Sequence, residues 1–208
     1  MKKIPSSVGA VSQDMNLTPH TVANRNIVLL WIYRILVRGE GYKSFVRQHD
    51  FLDDKLAEGL GFADYIFSDE PIVFNSTEIK RQLFKQAEQL EKNRVNSLYT
   101  DIVFKKNIES LGSLIGLTNV EIDILLFCAT VQIDSLLESA TNILGNLSAR
   151  AVEQIFSVCL GYSELDIRHA LFPDGRLAKS GLIKIDMGCN CHFSQKIEIL
   201  EGLIVNRH

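Results

Sequence analysis

The stretch GRLAKSGLIKID, Gly175 to Asp186, decides how the chain is to be understood. A Lys-Ser pair between two glycines resembles a phosphate-binding loop. Such a loop needs a glycine, four residues and then Gly-Lys-Ser/Thr, with a strand before it and a helix after it, so that free backbone amides converge on the phosphate. Here Gly175 stands four residues before Lys179, and Ala178 occupies the place of the second glycine. The pattern before the stretch is helical, and LIKID after it alternates apolar and polar residues as a half-buried strand does. The stretch therefore predicts a short helical turn followed by a hinge at Gly181 and a strand, with MGCNC as the turn and HFSQKIEIL as the return strand.

Upstream, Ser148 caps a helix with Val152, Ile155, Phe156 and Cys159 facing inward, and Gly161 ends it. Ser163, with Asp166 three residues on, caps a second helix over Leu165 to Leu171. Two helices joined by a tight glycine-containing turn form a helix-turn-helix. With the hairpin added, residues 147–208 are expected to be a winged-helix unit.

The rest of the chain predicts helices almost without interruption. Residues 1–17 lack periodicity and are expected to form a mobile arm, followed by an N-terminal helical subdomain over 18–74 and a central bundle over 75–146. The first subdomain has a long helix from Thr21 to Val37 and short helices at Tyr42 to Gln48 and Leu52 to Leu60, with Phe45, Val46, Leu52, Leu56 and Leu60 inward. Phe62 to Asn75 is a connector, extended near Ile72 to Phe74. Asn75 with Glu78, and Thr118 with Glu121, fit the capping-box spacing. The helix after the first box repeats Ile79, Leu83, Ala87 and Leu90 on one face, and the next repeats Phe104, Ile108, Leu111 and Ile115. ILLFCATV, after the second box, is apolar all round and belongs at the centre of a bundle. A further helix spans Asp134 to Leu144. The fold class is thus mainly α: a helical bundle followed by a winged-helix unit with a small β-hairpin.

Composition limits the function. The 208 residues are 46% hydrophobic and carry 22 basic against 25 acidic side chains, so there is material for a core and no overall positive field toward nucleic acid or membrane. Ile27 to Val37 is the most apolar window, but its 11 residues with Arg34 inside fall short of the ~20 that span a bilayer. The opening MKK is followed by Pro5, Ser6 and Ser7 rather than an apolar run, which excludes a secretory signal and implies a cytoplasmic protein. Cys128 and Cys159 fall in apolar helices, and Cys189 and Cys191 are too close for an ordinary bridge, so no disulfide framework is expected.

Few residues suggest chemistry. Cys189, Cys191 and His192 place three metal ligands in four residues, but a structural zinc site wants a second pair, so a hairpin turn is the favoured reading. His20, His49, His169, His192 and His208 belong to no catalytic pattern, and Asp53 and Asp54 suit the first turn of a helix. No cofactor, metal or catalytic group is expected. The second helix of the helix-turn-helix offers Glu164, Asp166, Arg168 and His169, and residues 147–208 carry seven basic and seven acidic side chains. Arg168, His169, Lys179, Lys184 and Lys196 are the candidate contacts for DNA or a protein partner, with the neutral balance favouring protein. Residues 101–147, with two basic and six acidic side chains, offer either an acidic face for a basic partner or an ordinary solvated surface.

The segments NRNIVLLWIYRILV, NIESLGSLIGLTNVEIDILLFCATVQID, LGNLSARAVEQIFSVCLGYSELDIRHAL and GRLAKSGLIKID resemble, in order, the region that precedes the motor in a group of bacterial AAA-type ATPases. The resemblance runs from about Asn24 onward and implies a helical and winged-helix module, full-length relatives that hydrolyse ATP, and an AAA-type motor in cis or in trans, or a protein substrate, as partner. No GxxxxGK[ST] occurs in the sequence, and the chain ends at EGLIVNRH, where the motor would be expected to begin, so the family's ATP-binding residues have no positions here. The expectation is a non-catalytic docking or regulatory module; the alternative is a winged-helix DNA-binding protein.

Overall fold

The computed structural model describes residues 19–67, 73–93 and 102–203. The expected arm over 1–17, and Ile72 at the start of the expected extended piece, lie outside the described residues. The chain is mainly helical, with a two-stranded antiparallel sheet near the C-terminus. Helix α1 (Pro19–Tyr33) passes without a break into a π turn over Arg34–Arg38. The predicted long helix is therefore present, but its last turn is widened. After α2 (Tyr42–Phe45), Val46 pairs with Phe51 across a tight turn, which is why the helix expected to reach Gln48 stops early. That pairing also sends Phe51 inward in place of Leu52, which stays exposed.

Helix α3 (Asp54–Gly59) is capped by the Asp53 carboxylate, which accepts from Leu56 N at 2.9 Å. The expected connector contains a short helix, α4 (Asp64–Phe67), and Val73–Asn75 has no regular structure. Asn75 caps α5 (Ser76–Asn93) by accepting from Thr77 and Glu78 N–H, both at 3.1 Å. The reciprocal half of the expected box gives way to side-chain partners, because the Glu78 carboxylate accepts from Arg81 and Gln82.

Helix α6 (Ile102–Ile115) buries Ile108 but leaves Leu114 and Ile115 exposed, so its apolar stripe ends a turn sooner than its spacing predicts. A side chain at Gly112 would lie 2.6 Å from the Ile122 side chain, so the glycine sets how closely α6 meets α7 (Asn119–Ile133). Helix α7 is the central element: Ile124 to Ala129 are all buried, and it touches α6, α8 (Ser135–Asn142), α9 (Ala149–Leu160) and α10 (Glu164–Ala170). The complete capping box at Thr118 and Glu121 starts it.

The C-terminal third follows with α11 (Arg176–Lys179), β1 (Ile183–Ile185) and β2 (Ile197–Ile199). The strands pair with Lys184 opposite Glu198, and Leu147 forms a single bridge to Cys191. The expected return strand over His192–Leu200 is shortened, because Phe193–Lys196 makes a 3-10 turn that drives Phe193 into the core. There its ring meets Phe127 at 5.8 Å and Phe156 at 5.5 Å, edge to face, while Trp31 closes on Phe127 at 5.0 Å. Edge-to-face packing of this kind adds about 1 kcal/mol per pair beyond the area buried. One cluster of buried side chains runs from Val28 to Ile197, through all three sequence segments.

Candidate functional site

The stretch that opened the question lies in the order helix, turn, strand. Gly181 adopts φ +68, a left-handed conformation open to glycine and strained for other residues, and it turns the chain from α11 into β1. The element before α11 is helix α10 rather than a strand, and β1 rather than a helix follows it, which is not the order of a phosphate-binding loop.

The five candidate contact residues do not assemble into a cationic surface. Arg168 on α10 is exposed, but its guanidinium donates to the Glu153 carboxylate of α9 at 2.8 and 3.1 Å. Lys179 on α11 faces Asp174 at 3.6 Å, and Lys184 on β1 faces Glu198 at 3.1 Å. His169 is exposed on α10. Lys196 departs from the set altogether: it is 1% exposed, and its ammonium donates to the carbonyls of Asp186 and Cys189. It braces the loop between the strands from inside rather than meeting a ligand. Exposed pairs contribute little stability, but each cancels the positive potential that a phosphate would feel.

The acidic segment is likewise absorbed. Glu121 and Asp134 cap α7 and α8, Asp123 accepts from the Tyr162 hydroxyl at 2.7 Å, and Glu109 pairs with Lys105 at 3.2 Å. Asp101 lies outside the described residues, and Glu138 is exposed on α8. Of the five described carboxylates of this segment, four are engaged by these local partners.

What the C-terminal third does present is an apolar groove. A cavity of about 610 Å³ opens between the α10–α11 segment and the β-ribbon. Leu171, Pro173, Leu177 and Ala178 form one wall, and Ile183, Ile185 and Ile199 form the other, with the Lys184–Glu198 pair at the rim. Phe172 and Leu200 stay more than half exposed at its margins. The wall residue Leu177 is anchored by Glu121, 5% exposed, whose carboxylate holds Thr118 N–H at 2.7 Å and Leu177 N–H at 3.2 Å. Arg176 then donates to the Gly116 carbonyl at 2.5 Å, so α11 is pinned to both ends of the α6–α7 turn.

A second polar centre was not signalled by any motif. Arg34, 3% exposed, makes a bidentate pair with Glu91 of α5 at 2.7 and 3.1 Å and donates its remaining arm to the Cys159 carbonyl of α9. Arg38 joins the same carboxylate at 3.0 Å. Beside it the Tyr33 hydroxyl donates to Gln86, and burial raises its pKa to about 12. The only sequence signal was an arginine inside an apolar window. Arg34 and Arg38 stand four residues apart at the two ends of the π turn, a spacing that keeps both on the helix face turned toward Glu91.

The Cys189–His192 stretch follows a bend at Met187 and Gly188 and has no regular structure apart from the bridge of Cys191 to Leu147. Asp186 accepts from the N–H groups of Gly188 and Cys189 at 2.8 and 3.0 Å, and these bonds hold its carboxyl below the usual range. The Cys189 and Cys191 thiols touch, which raises the pKa of Cys191, and His192 Nδ1 is buried with no hydrogen-bond partner. Among the described residues no group of three His, Cys, Asp or Glu side chains could hold a metal ion. Cys128 and Cys159 are buried, and burial raises both thiol pKa values, which removes them as nucleophiles. No described helix is long and apolar enough to cross a membrane. The chain matches no family model, no curated protein and no solved structure.

Proposed function

We propose that the chain is a non-catalytic docking or regulatory module whose C-terminal third is a winged-helix unit, comparable to the region that precedes the motor in AAA-type ATPases. The element order supports the winged-helix reading: α8, a one-residue bridge at Leu147, α9, α10, α11 and then the ribbon. A helix-turn-helix followed by a hairpin, with the bridge as a reduced third strand, has this order. Its partner in this reading is a polypeptide, either an AAA-type motor in cis or in trans or a protein substrate.

The observation that carries the reading is the pairing of charge with shape. Arg168, Lys179 and Lys184 are each matched by a carboxylate, while the surface beside them is an apolar groove of about 610 Å³. A phosphate backbone gains most from unmatched cations and little from such a groove, whereas apolar clefts with a few polar groups at the rim suit specific ligands.

Duplex DNA is the test. At ~150 mM salt, a labelled 20-base-pair duplex should bind the chain no more tightly than the ~100 µM edge of non-specific binding. Sub-micromolar binding that weakens steeply with salt, and that is lost in a Lys179→Glu, Lys184→Glu variant, would overturn the reading. ATP hydrolysis by the purified chain alone would do the same.

A further inference from the structure

We propose that the outer edge of β1, with the groove beside it, takes up an extended apolar segment of a partner polypeptide as an added strand. The inference rests on the docking reading above and names the form the partner must take.

The register of the ribbon fixes which backbone groups are free. Asp186 N–H donates to the Lys196 carbonyl at 2.8 Å, and Leu200 N–H donates to the Leu182 carbonyl at 2.9 Å, with Lys184 opposite Glu198 between them. In an antiparallel pair the hydrogen-bonded residues alternate with residues whose backbone groups point outward. Ile183 and Ile185 are therefore the outward pair of β1, and their N–H and C=O groups meet no other hydrogen-bond partner among the described residues; Ile183 is 4% exposed and Ile185 half-buried, so the more accessible end of this edge is Ile185. The equivalent edge of β2 is not free in this way, because Gln132 of α7 donates to the Ile197 carbonyl at 3.4 Å.

The groove lies along this free edge. Its lining draws on both faces of the ribbon, with Ile183, Ile185 and Ile199 from one and Lys184 and Glu198 from the other, and so wraps around β1 rather than lying over a single face. Unpaired donors and acceptors at strand spacing call for an extended chain; a helix has its own backbone groups already satisfied. The walls Leu171 and Leu177 call for apolar side chains at alternate positions of that chain. The positions between them would face water and the neutral Lys184–Glu198 pair, so polar, uncharged residues fit there. β1 is only three residues long, which limits the added pairing to about four hydrogen bonds and makes the affinity modest.

The probe is a fluorescein-labelled heptapeptide in which valine alternates with threonine, read by anisotropy and by amide exchange of the full chain. Saturable binding is expected below ~1 mM, with amide exchange at Ile183 and Ile185 slowed at least ~10-fold on saturation. Two N-methylated versions of the probe, one methylated on its valines and one on its threonines, give the signature of strand addition. One should lose roughly tenfold or more in affinity and the other should keep it, since only every second N–H faces β1. Ala178→Phe, which fills the groove from an exposed position on α11, should also weaken binding by about tenfold. No saturable binding by ~1 mM overturns the proposal, as does equal behaviour of the two methylated probes. Ile183 and Ile185 amides already protected in the free chain would also overturn it: independently of concentration, they would assign the edge to another segment of this chain, and with rising concentration to a second copy. In any of these cases the docking reading stands or falls separately, on the DNA measurement.

Discussion

Arg34, at the end of α1, and Lys196, between the two strands, are both cations carried into the interior, and they are neutralised by opposite means. Arg34 meets a carboxylate, Glu91, in a two-pronged geometry that only a planar guanidinium can complete. Lys196 forms no ion pair among the described residues; its ammonium sits on the carbonyls of Asp186 and Cys189, and its four-carbon stem is buried with it. The first arrangement ties three distant helices together, α1, α5 and α9. The second ties one loop to itself. Loss of the first should therefore be felt globally and loss of the second locally.

The sharpest way to break the comparison is to remove one half of each. Arg34→Leu leaves Glu91 without its bidentate partner and the Cys159 carbonyl without its donor, and should destabilise the protein by about 3 kcal/mol in urea denaturation. Replacing both members, Arg34→Leu with Glu91→Leu, should recover most of that loss, because two desolvated charges leave together. A double variant as unstable as the single one would mean that the pair itself, and not a carboxylate held less completely, supplies the stability.

Glu121 is the anionic counterpart of Lys196, a carboxylate held by N–H groups instead of a cation. Because it anchors Leu177 as well as closing the cap of α7, Glu121→Ala should cost about 2 kcal/mol and should loosen α11, seen as faster amide exchange at Leu177. Lys196→Met is expected to cost less, about 1 kcal/mol, since two carbonyls lose a donor while a buried charge is also removed. Its effect should concentrate in faster proteolysis of the loop from Asp186 to Cys191. If Lys196→Met destabilised as much as Arg34→Leu, the distinction between global and local tethering would fail.

The two regions also differ in how far the sequence foretold them. The centre of the bundle was legible because Ile124 to Ala129 carry no wet face, and the caps at Ser148, Ser163 and Thr118 were legible because capping is a local interaction between near neighbours. The hinge at Gly181 was legible for the same reason. The Arg34 centre was not, since its partners lie 57 and 125 residues away and no local pattern marks them. Lys196 was assigned to the surface because an apolar-polar alternation puts lysine outside; the 3-10 turn at Phe193 shifts that alternation and carries Lys196 inward. The groove was hidden as well: its apolar residues come from α10, α11, both strands and the residues adjoining them, and nothing in any one of them says that the space between is open.

The smallest expected effect separates the regions by pH. Tyr33 packs beside Arg34 in a site dry enough to raise its pKa from 10.0 to about 12. The fold thus favours the neutral phenol. In the unfolded chain Tyr33 ionises near its ordinary value, so its contribution to stability is fully present below about pH 10 and is lost as the pH climbs toward 12. Tyr33→Phe cannot ionise, and its alkaline limb should be flatter than that of the parent between those values. At neutral pH it should cost only about 1 kcal/mol, for the hydrogen bond to Gln86. Urea midpoints measured from pH 8 to 11.5 on both proteins, with Lys196→Met as the distant control that keeps Tyr33, decide the matter. Parallel limbs for the parent and Tyr33→Phe would mean that water reaches the Arg34 centre, and the contrast between a dry ion pair and a carbonyl-held lysine would lose its physical basis.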